Sequence, residues 1–548
     1  MSTKKEYSTI SGGSLNESAL EYTELSTIST AVDELRTTFA THALRPLPER
    51  KQQLRSLLQG LRTYKKALLD AVYLDLHKSA TETDFFEYSA VEFDIGLALD
   101  NLDKWAQPDR HPLAILQPAF LMSRSEVRKE PLGTVLILGA WNYPLRLLLL
   151  PLVGALAAGN TAVVKPSELA PHTAVVVGQL IEQFLDPRFV RVMQGGVLQA
   201  TELLRQHFDH YFFTGNGTVG RIVAKAAAEH LSGVTLELGG KSPAVVHADT
   251  ADLSVAAYRI MWAKLANAGQ TCVTVDYVLV HRSVKDELVE HLLDAAVAMF
   301  GTVAAASPDY GRIINKRNWR RLRDLLDRTE GQILGKGREE PVEEDLFFPP
   351  TIVDGVLPSD SLMSEELFGP ILPIVTYDTL EEALALVNSR DQPLALYVFG
   401  SAASSQHVLA NTRSGVASVN DTMFLLGSHG NPFGGVGPSG LGRYTGKFSF
   451  ETFSHHRYVL LRPMWFPNPG MDTVRGAPYA GKANAWKARL GPSMVYPKLR
   501  SLREGLLGRL FTLLPMWRLL AILPGFVMAL FTAKPIMGLG RRRRLEGK

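Results

Sequence analysis

Through residues 31–110 apolar side chains recur at three- and four-residue spacing (Leu54, Leu57, Leu58, Leu61) with few breakers, which predicts a helical stretch. Near Arg110-His111-Pro112 the pattern changes. Thr134-Val135-Leu136-Ile137-Leu138 is a short, wholly apolar run and reads as a buried strand. A loop follows, Gly139-Ala140-Trp141-Asn142-Tyr143-Pro144, then an apolar helix over 145–158, a stop at Gly159-Asn160, and a second strand over 161–165. A strand–helix–strand unit of about 30 residues implies a parallel sheet. The Leu-rich helix is too short to cross a bilayer and contains Arg146 and Pro151; burial against a sheet explains it better. The alternation continues, with helices predicted over 174–184 and 219–230 and strands over 189–193, 210–214, 234–238, 244–246 and 277–280.

The first 30 residues are rich in Ser, Thr and Glu and have no long apolar run. They resemble neither a signal peptide nor an Arg-rich transit peptide and are expected to be a disordered leader. The far end differs. From Met471 onward there are 15 Lys/Arg against 3 Asp/Glu, a net charge of +12, which leaves −9 on the first 470 residues of a chain whose total is only +3. That small total gives no support for nucleic-acid binding. Leu506–Ala533 is strongly apolar but interrupted by Arg509, Pro515, Arg518 and Pro524. Its longest uncharged stretch, Leu519–Ala533, has 15 residues, short of the ~20 a perpendicular membrane helix needs. With Trp517 at an interface and Arg518 and Lys534 snorkelling, it could form a marginal span; otherwise it forms an in-plane or hairpin anchor, aided by Arg541-Arg542-Arg543-Arg544 on anionic lipid. A helix covering a dimer seam is the alternative.

At 548 residues two or three domains are expected. The chain has one cysteine, Cys272, so it builds no intrachain disulfide and none of the usual multi-cysteine zinc sites. A lone Cys is most simply a small buried hydrophobe. Here, however, Gly269-Gln270-Thr271 before it suits a turn that presents the sulfur, and Glu237 lies 35 residues upstream, which together look like a cysteine nucleophile and its base. Gly215-Asn216-Gly217-Thr218-Val219-Gly220 follows an apolar strand and opens a helix, the context in which backbone amides cradle a pyrophosphate. A second match, Gly435 to Gly440, follows no strand and loses an amide to Pro438; it reads as a structural loop. Glu168, just past the strand ending in Lys165, lies where parallel sheets bind nucleotides, and a carboxylate there favours NAD over NADP; a solvated Lys–Glu pair is the plainer reading.

Taken together these strings resemble the aldehyde dehydrogenase superfamily over roughly residues 35–460. Leu236-Glu237-Leu238-Gly239-Gly240-Lys241-Ser242-Pro243 is similar to its general-base motif, Gly269-Gln270-Thr271-Cys272 to its nucleophile motif, and Trp141-Asn142-Tyr143-Pro144 to the segment supplying an oxyanion donor. Lys165-Pro166-Ser167-Glu168 and Glu365-Glu366-Leu367-Phe368-Gly369-Pro370 resemble two cofactor-contacting motifs. The segment from Pro432-Phe433-Gly434-Gly435 to Phe450-Glu451-Thr452-Phe453-Ser454-His455 resembles the class 3 branch, which includes the fatty aldehyde enzymes. The chain departs at Gly217 and Thr218 and in a Glu237-to-Cys272 interval one residue longer than the pattern, which places an insertion around 247–250.

The resemblance implies an α/β fold: a leader over 1–30, a Rossmann-like NAD-binding domain over 31–239, an α/β catalytic domain over 240–430, a return segment with a small β oligomerisation extension over 431–470, and a basic, apolar membrane-anchoring tail over 471–548. It implies oxidation of long-chain aldehydes to acids, with fatty aldehydes as the first expectation and apocarotenals as the second. Cys272 would attack as a thiolate of lowered pKa, Asn142 and the Cys272 N–H would hold the oxyanion, and Glu237 would activate water. NAD, with NADP as the alternative, would rest on Lys165 and Glu168 (adenosine ribose), residues 215–220 (pyrophosphate), Glu366 (nicotinamide ribose) and Phe368 (nicotinamide); no metal ligand is expected. Asn420 would hold substrate or a nearby loop. The implied protein is a homodimer on a membrane with its body facing the cytosol. A thiol esterase using the same Cys272 and Glu237, or a non-enzymatic scaffold, would not need the cofactor motifs.

Overall fold

The computed structural model describes residues 20–110, 123–335 and 339–462, with 464, 478, 480–481 and 484–487 beyond them. Residues 506–533 and Arg541–Arg544, on which the anchor expectation rests, lie outside the described residues. The chain divides into a large unit, Met1–Pro108 with Arg128–Arg457, and a small one, Asp109–Val127 with Tyr458–Lys548. Within the small unit Asp109 and Arg110 pair antiparallel with Val127 and Glu126.

The large unit holds two sheets. The six-stranded sheet runs in the order Gly440–Leu441, Gly233–Glu237, His210–Thr214, Thr134–Leu138, Thr161–Lys165, Val190–Val192; every pairing given is parallel except that of Gly440–Leu441. Its strands are apolar on both faces because both are covered. Leu136, Val163, Tyr211 and Leu236 enter one core, Val135, Ile137, Ala162, Val164 and Phe212 another, which is the burial expected of a doubly covered parallel sheet. All 13 residues of helix Arg146–Ala158 are buried, and Gly159 ends it in the left-handed conformation (φ 95°). Register places Leu138 opposite Lys165 and Phe213, and Thr214 opposite Glu237, so Lys165, Thr214 and Glu237 share the carboxyl edge.

The seven-stranded sheet runs Gln332–Leu334, Thr351–Asp354, Ile371–Tyr377, Tyr277–His281, Pro243–Val246, Ala395–Phe399, Val416–Val419, with only the first antiparallel. Pro243 opposes Tyr277, so the turn holding Cys272 and the link 238–242 both arrive at its amino edge. The chain thus leaves the carboxyl edge of one sheet at Glu237 and enters the amino edge of the next at Pro243. Among the described residues one helical stretch, Arg282–Ala306, is long and apolar enough to cross a membrane; its Leu288, Val289, Leu292 and Ala295 are buried in the second sheet's core.

Several boundaries move, for physical reasons. The leader does not extend to residue 30: Leu25–Ala40 is a helix whose Ile28, Val32 and Leu35 are buried, and Thr23 exchanges two hydrogen bonds with Gln194, each 2.9 Å. An apolar stripe at helical spacing outweighs the Ser/Thr-rich composition around it. Residues 1–19 lie outside the described residues. The predicted 174–184 helix begins at Pro171, a residue suited to a first turn. The predicted 219–230 helix begins at Gly217, because Asn216 caps it by accepting from the Val219 N–H at 3.0 Å.

Candidate active site

On the carboxyl edge of the first sheet the glycine pattern forms a strand-to-helix turn. Gly215 N–H donates to the Glu237 carbonyl at 3.0 Å. A Cβ on Gly220 would stand 2.8 Å from a Leu238 methyl, so this glycine permits close helix–strand packing, whereas one on Gly217 would meet only the tip of Arg221. Asn216, Gly217 and Thr218 line a groove of about 450 Å³ that also takes in Gly239, Gly240 and Glu366. Gly215, Val219 and Gly220 do not line it, nor do Lys165 and Glu168. Those two lie farther along the same edge, joined by a 3.1 Å ion pair, with Lys165 buried and Glu168 partly open. The second glycine match is a structural loop, as expected, but with a task. The Ser439 carbonyl accepts from Leu238 N–H at 3.0 Å, and Gly440 pairs with Glu237, so the loop braces the strand that carries the acid.

The oxyanion-donor candidate and the nucleophile candidate come from different sheets and are tied together. The Asn142 amide donates to the Gln270 carbonyl at 3.0 Å, two residues before Cys272. Its second N–H has no partner among the described residues. Tyr143 Oη and Thr271 Oγ1 are 2.7 Å apart. Asn267 donates to the Asn142 carbonyl at 2.8 Å, and the Gln270 side chain bridges Asn267, Arg312 and Ile314. Asn267 and Ala268 hold left-handed backbone (φ 52° and 51°), and Gly269 (φ 78°) sits so close to the Gly369 carbonyl that a Cβ would approach within 2.2 Å. Phe368, itself left-handed, packs edge-on to Trp141 at 5.4 Å. Asn420 bonds the backbone of Gly400 through both amide atoms, at 2.9 and 3.1 Å, the loop-holding half of its expected role.

The acids are held differently. Glu237 is buried at the end of its strand, and neither carboxyl oxygen has a hydrogen-bond partner; burial holds its pKa well above the usual carboxylate range. Glu366 lies over Gly239, where a Cβ would stand 2.0 Å from Oε2, and its Oε1 is buried without a partner. Burial, reinforced by Asp276, pushes it up to about 8. Cys272 is partly buried, and burial first, then the charges of Glu366 and Glu237, push its thiol up to about 12. The expected lowering of this pKa is therefore corrected. Arg146 acts on the sulfur in the opposite sense with a smaller effect, buried with its guanidinium on the Phe86 and Leu426 carbonyls at 3.2 and 3.1 Å. Asn142 is thus tied to the turn before Cys272, and the charges of Glu237 and Glu366 reach the sulfur. Sequence reasoning missed Arg146, Lys264 (fully buried, Nζ unpartnered among the described residues, pushed down to about 8 by burial) and the buried Lys78 and Glu87. Arg146 stands in a Leu-rich run that reads as buried, but nothing in the sequence separates Lys264, Lys78 and Glu87 from solvated helix charges.

The sequence model described as the aldehyde dehydrogenase family matches residues 18–459. The chain belongs to the aldehyde dehydrogenase family. Aldehyde dehydrogenase family 3 member A2 of Rattus norvegicus is 45% identical over 456 residues, covering 83% of this chain and 92% of the relative. The 4,4'-diaponeurosporen-aldehyde dehydrogenase of Staphylococcus aureus is 41% identical over 453 residues, covering 82% and 96%. A solved structure described as the substrate-bound state of Staphylococcus aureus AldH superposes with TM-score 0.80 at 39% identity, covering 84% of this chain and 99% of that one. The class 3 resemblance and the aldehyde dehydrogenase fold both stand. The protein is an enzyme that oxidises aldehydes, and the scaffold reading falls away.

Proposed function

We propose that Cys272, Glu237 and Asn142 carry out the oxidation. The observation that carries this is that Asn142 is tied to the turn before Cys272 and that two buried acids, Glu237 with neither oxygen bonded and Glu366 with Oε1 unbonded, act on the Cys272 sulfur where the two sheets join. The Cys272 sulfur forms a bond to the carbonyl carbon as its proton passes to the fraction of Glu237 that is ionised, and the free Asn142 N–H, with the Cys272 backbone N–H, holds the oxyanion. When bound, NAD, with NADP as the alternative, would supply the acceptor for the hydride from that carbon. The chain's residues fit such a group. The groove over Gly217, Gly239 and Gly240 leaves room, and the orphaned Glu366 Oε1 is an acceptor awaiting a hydroxyl. Glu366 would hold the nicotinamide ribose, Phe368 would pack beside the nicotinamide, Asn216 to Thr218 would lie along the pyrophosphate, and Lys165 with Glu168 would take the adenosine ribose. With the hydride lost the carbon is a thioester. After Glu237 has released the first proton to solvent, water attacks that carbon and Glu237 takes the water's proton. The C–S bond breaks, the sulfur leaving as a thiolate that regains this proton as the acid departs.

Long-chain apolar aldehydes are the proposed substrates, fatty aldehydes first, on the resemblance to the class 3 branch. The Staphylococcus relative, named for 4,4'-diaponeurosporen-aldehyde, supports an apocarotenal as the second reading. The tail over 471–548 would hold a homodimer on a membrane, its body facing the cytosol. Spectrophotometric assay of the full chain against a graded alkanal series and an apocarotenal, with NAD and NADP in parallel, tests this. Reduced cofactor should form with the long aldehydes and fall by about 10⁴ or more in Cys272→Ala. Turnover that survives this substitution removes the mechanism; turnover confined to short aldehydes removes the substrate assignment.

A further inference from the structure

Beneath the two loops that carry Asn142 and Cys272 lies a buried ionic cluster with no part in the reaction as described. Helix Lys65–Leu76 ends in a left-handed His77 (φ 54°), which turns Lys78 inward. Lys78 is fully buried, its Nζ 2.5 Å from Glu87 Oε1, 3.3 Å from the Asn142 carbonyl and 4.2 Å from the centre of the Tyr143 ring. Glu87 reaches this place from a π-helical turn, Asp84–Tyr88, an irregularity that recurs at functional sites. Its other oxygen accepts from Leu145 N–H at 2.9 Å and Arg146 N–H at 3.4 Å, completing a helix start that has no side-chain cap of its own. From the preceding turn Glu82 accepts from Asn267 N–H at 2.7 Å, and Asn267 closes the circuit to the Asn142 carbonyl. One segment, 78–87, therefore grips both loops at their backbones.

A buried ion pair is a poor device for stability, since desolvation offsets its attraction and apolar replacements often fold as well. Geometry is what this one controls. We infer that Lys78, Glu87 and Glu82 are positioning residues that fix the Asn142 amide relative to the Cys272 turn, so that its free N–H meets the oxyanion. This rests on the proposed role of Asn142.

The test is a double-mutant cycle on the full chain with decanal and NAD, comparing wild type, Asn142→Ala, Lys78→Met/Glu87→Gln, and the three changes together. Gln keeps an oxygen for Leu145 N–H, so the pair variant should melt close to wild type and bind NAD with a Kd within threefold of it. Its kcat should fall at least about tenfold and that of Asn142→Ala about a hundredfold, with the triple variant no slower than Asn142→Ala. Effects that multiply, or a pair variant within twofold of wild type, overturn the inference while leaving the mechanism standing. Wild-type turnover in Asn142→Ala overturns the mechanism itself. If the pair variant does not accumulate as folded protein, Glu82→Ala, which removes only a half-buried acceptor, takes its place in the same cycle with the same criteria.

Discussion

The two halves of the candidate site are built in opposite ways. Around Asn142 and Cys272 nearly every polar atom is tied: Asn142 to Gln270, Asn267 to Asn142, Gln270 to three backbones, Tyr143 to Thr271. Around Glu237 and Glu366 the carboxyl oxygens are buried and loose, three without a hydrogen bond, over the small residues Gly239 and Gly240. A network fixes one geometry; orphaned carboxyls beside glycines are poised to change theirs. The proposed chemistry asks for this division, because an oxyanion needs donors that do not move, while a base that meets first a thiol and then water must swing.

Replacing Glu237 gives the largest break on the loose side. Glu237→Gln should lower steady-state turnover about 10²–10³-fold by slowing thioester hydrolysis, and a burst of reduced cofactor should precede the slow phase in stopped flow. The same variant should be more stable. The carboxyl's folded pKa is raised, so its favourable neutral state is fully present below the ordinary value of 4.5 and is lost as pH rises through the raised value. The stability gap between Glu237→Gln and wild type should therefore be small in thermal melts at pH 4, open between pH 5 and the raised pKa, and favour the variant. A gap of the opposite sign would mean that Glu237 has an ion-pair partner and is not loose.

The intermediate effect probes Glu366 through its neighbour. In Gly239→Ala the new Cβ meets the tip of a flexible side chain, not backbone, so the fold should survive while the Glu366 carboxyl is displaced. The KM for NAD should rise about tenfold with a smaller change in kcat, since a misplaced ribose contact weakens binding before it slows chemistry. Unchanged KM would free Glu366 from the cofactor.

How much of this was legible beforehand follows the same division. Motifs named the groups proposed to meet substrate, and strand–helix alternation gave most of the first sheet and two strands of the second, Pro243–Val246 and Tyr277–His281, because apolar runs and glycine turns are local signals; the other five strands of the second sheet were not read from the pattern. The supports were not legible. Lys78 and Glu87 sit nine residues apart in a run that reads simply as helix, and the left-handed His77 and the π-turn, neither encoded by a distinctive residue, turn them inward. The lowered thiol pKa was expected from reactivity alone, and it failed because burial and two carboxyls outweigh the smaller effect of Arg146. Residue 25 as a helix start was hidden by Ser and Thr whose neighbours Ile28, Val32 and Leu35 are buried.

The smallest effect lies farthest from the sulfur, at the edge where Glu168 meets Lys165 at 3.1 Å. Glu168 is partly exposed, so its charge acts through screened solvent, and a neighbouring group feels it by about 1 kcal/mol or less. If the pair cradles an adenosine ribose, the carboxylate repels a 2′-phosphate while Lys165, compensated by Glu168, cannot fully attract one. Glu168→Gln removes the repulsion and frees the ammonium. The ratio of kcat/KM for NAD over NADP should fall about two- to fivefold, mainly through a lower KM for NADP, and more at low salt than at high salt. A ratio that does not move would place the ribose elsewhere along the edge and leave Lys165 and Glu168 as a pair that only closes the end of their strand.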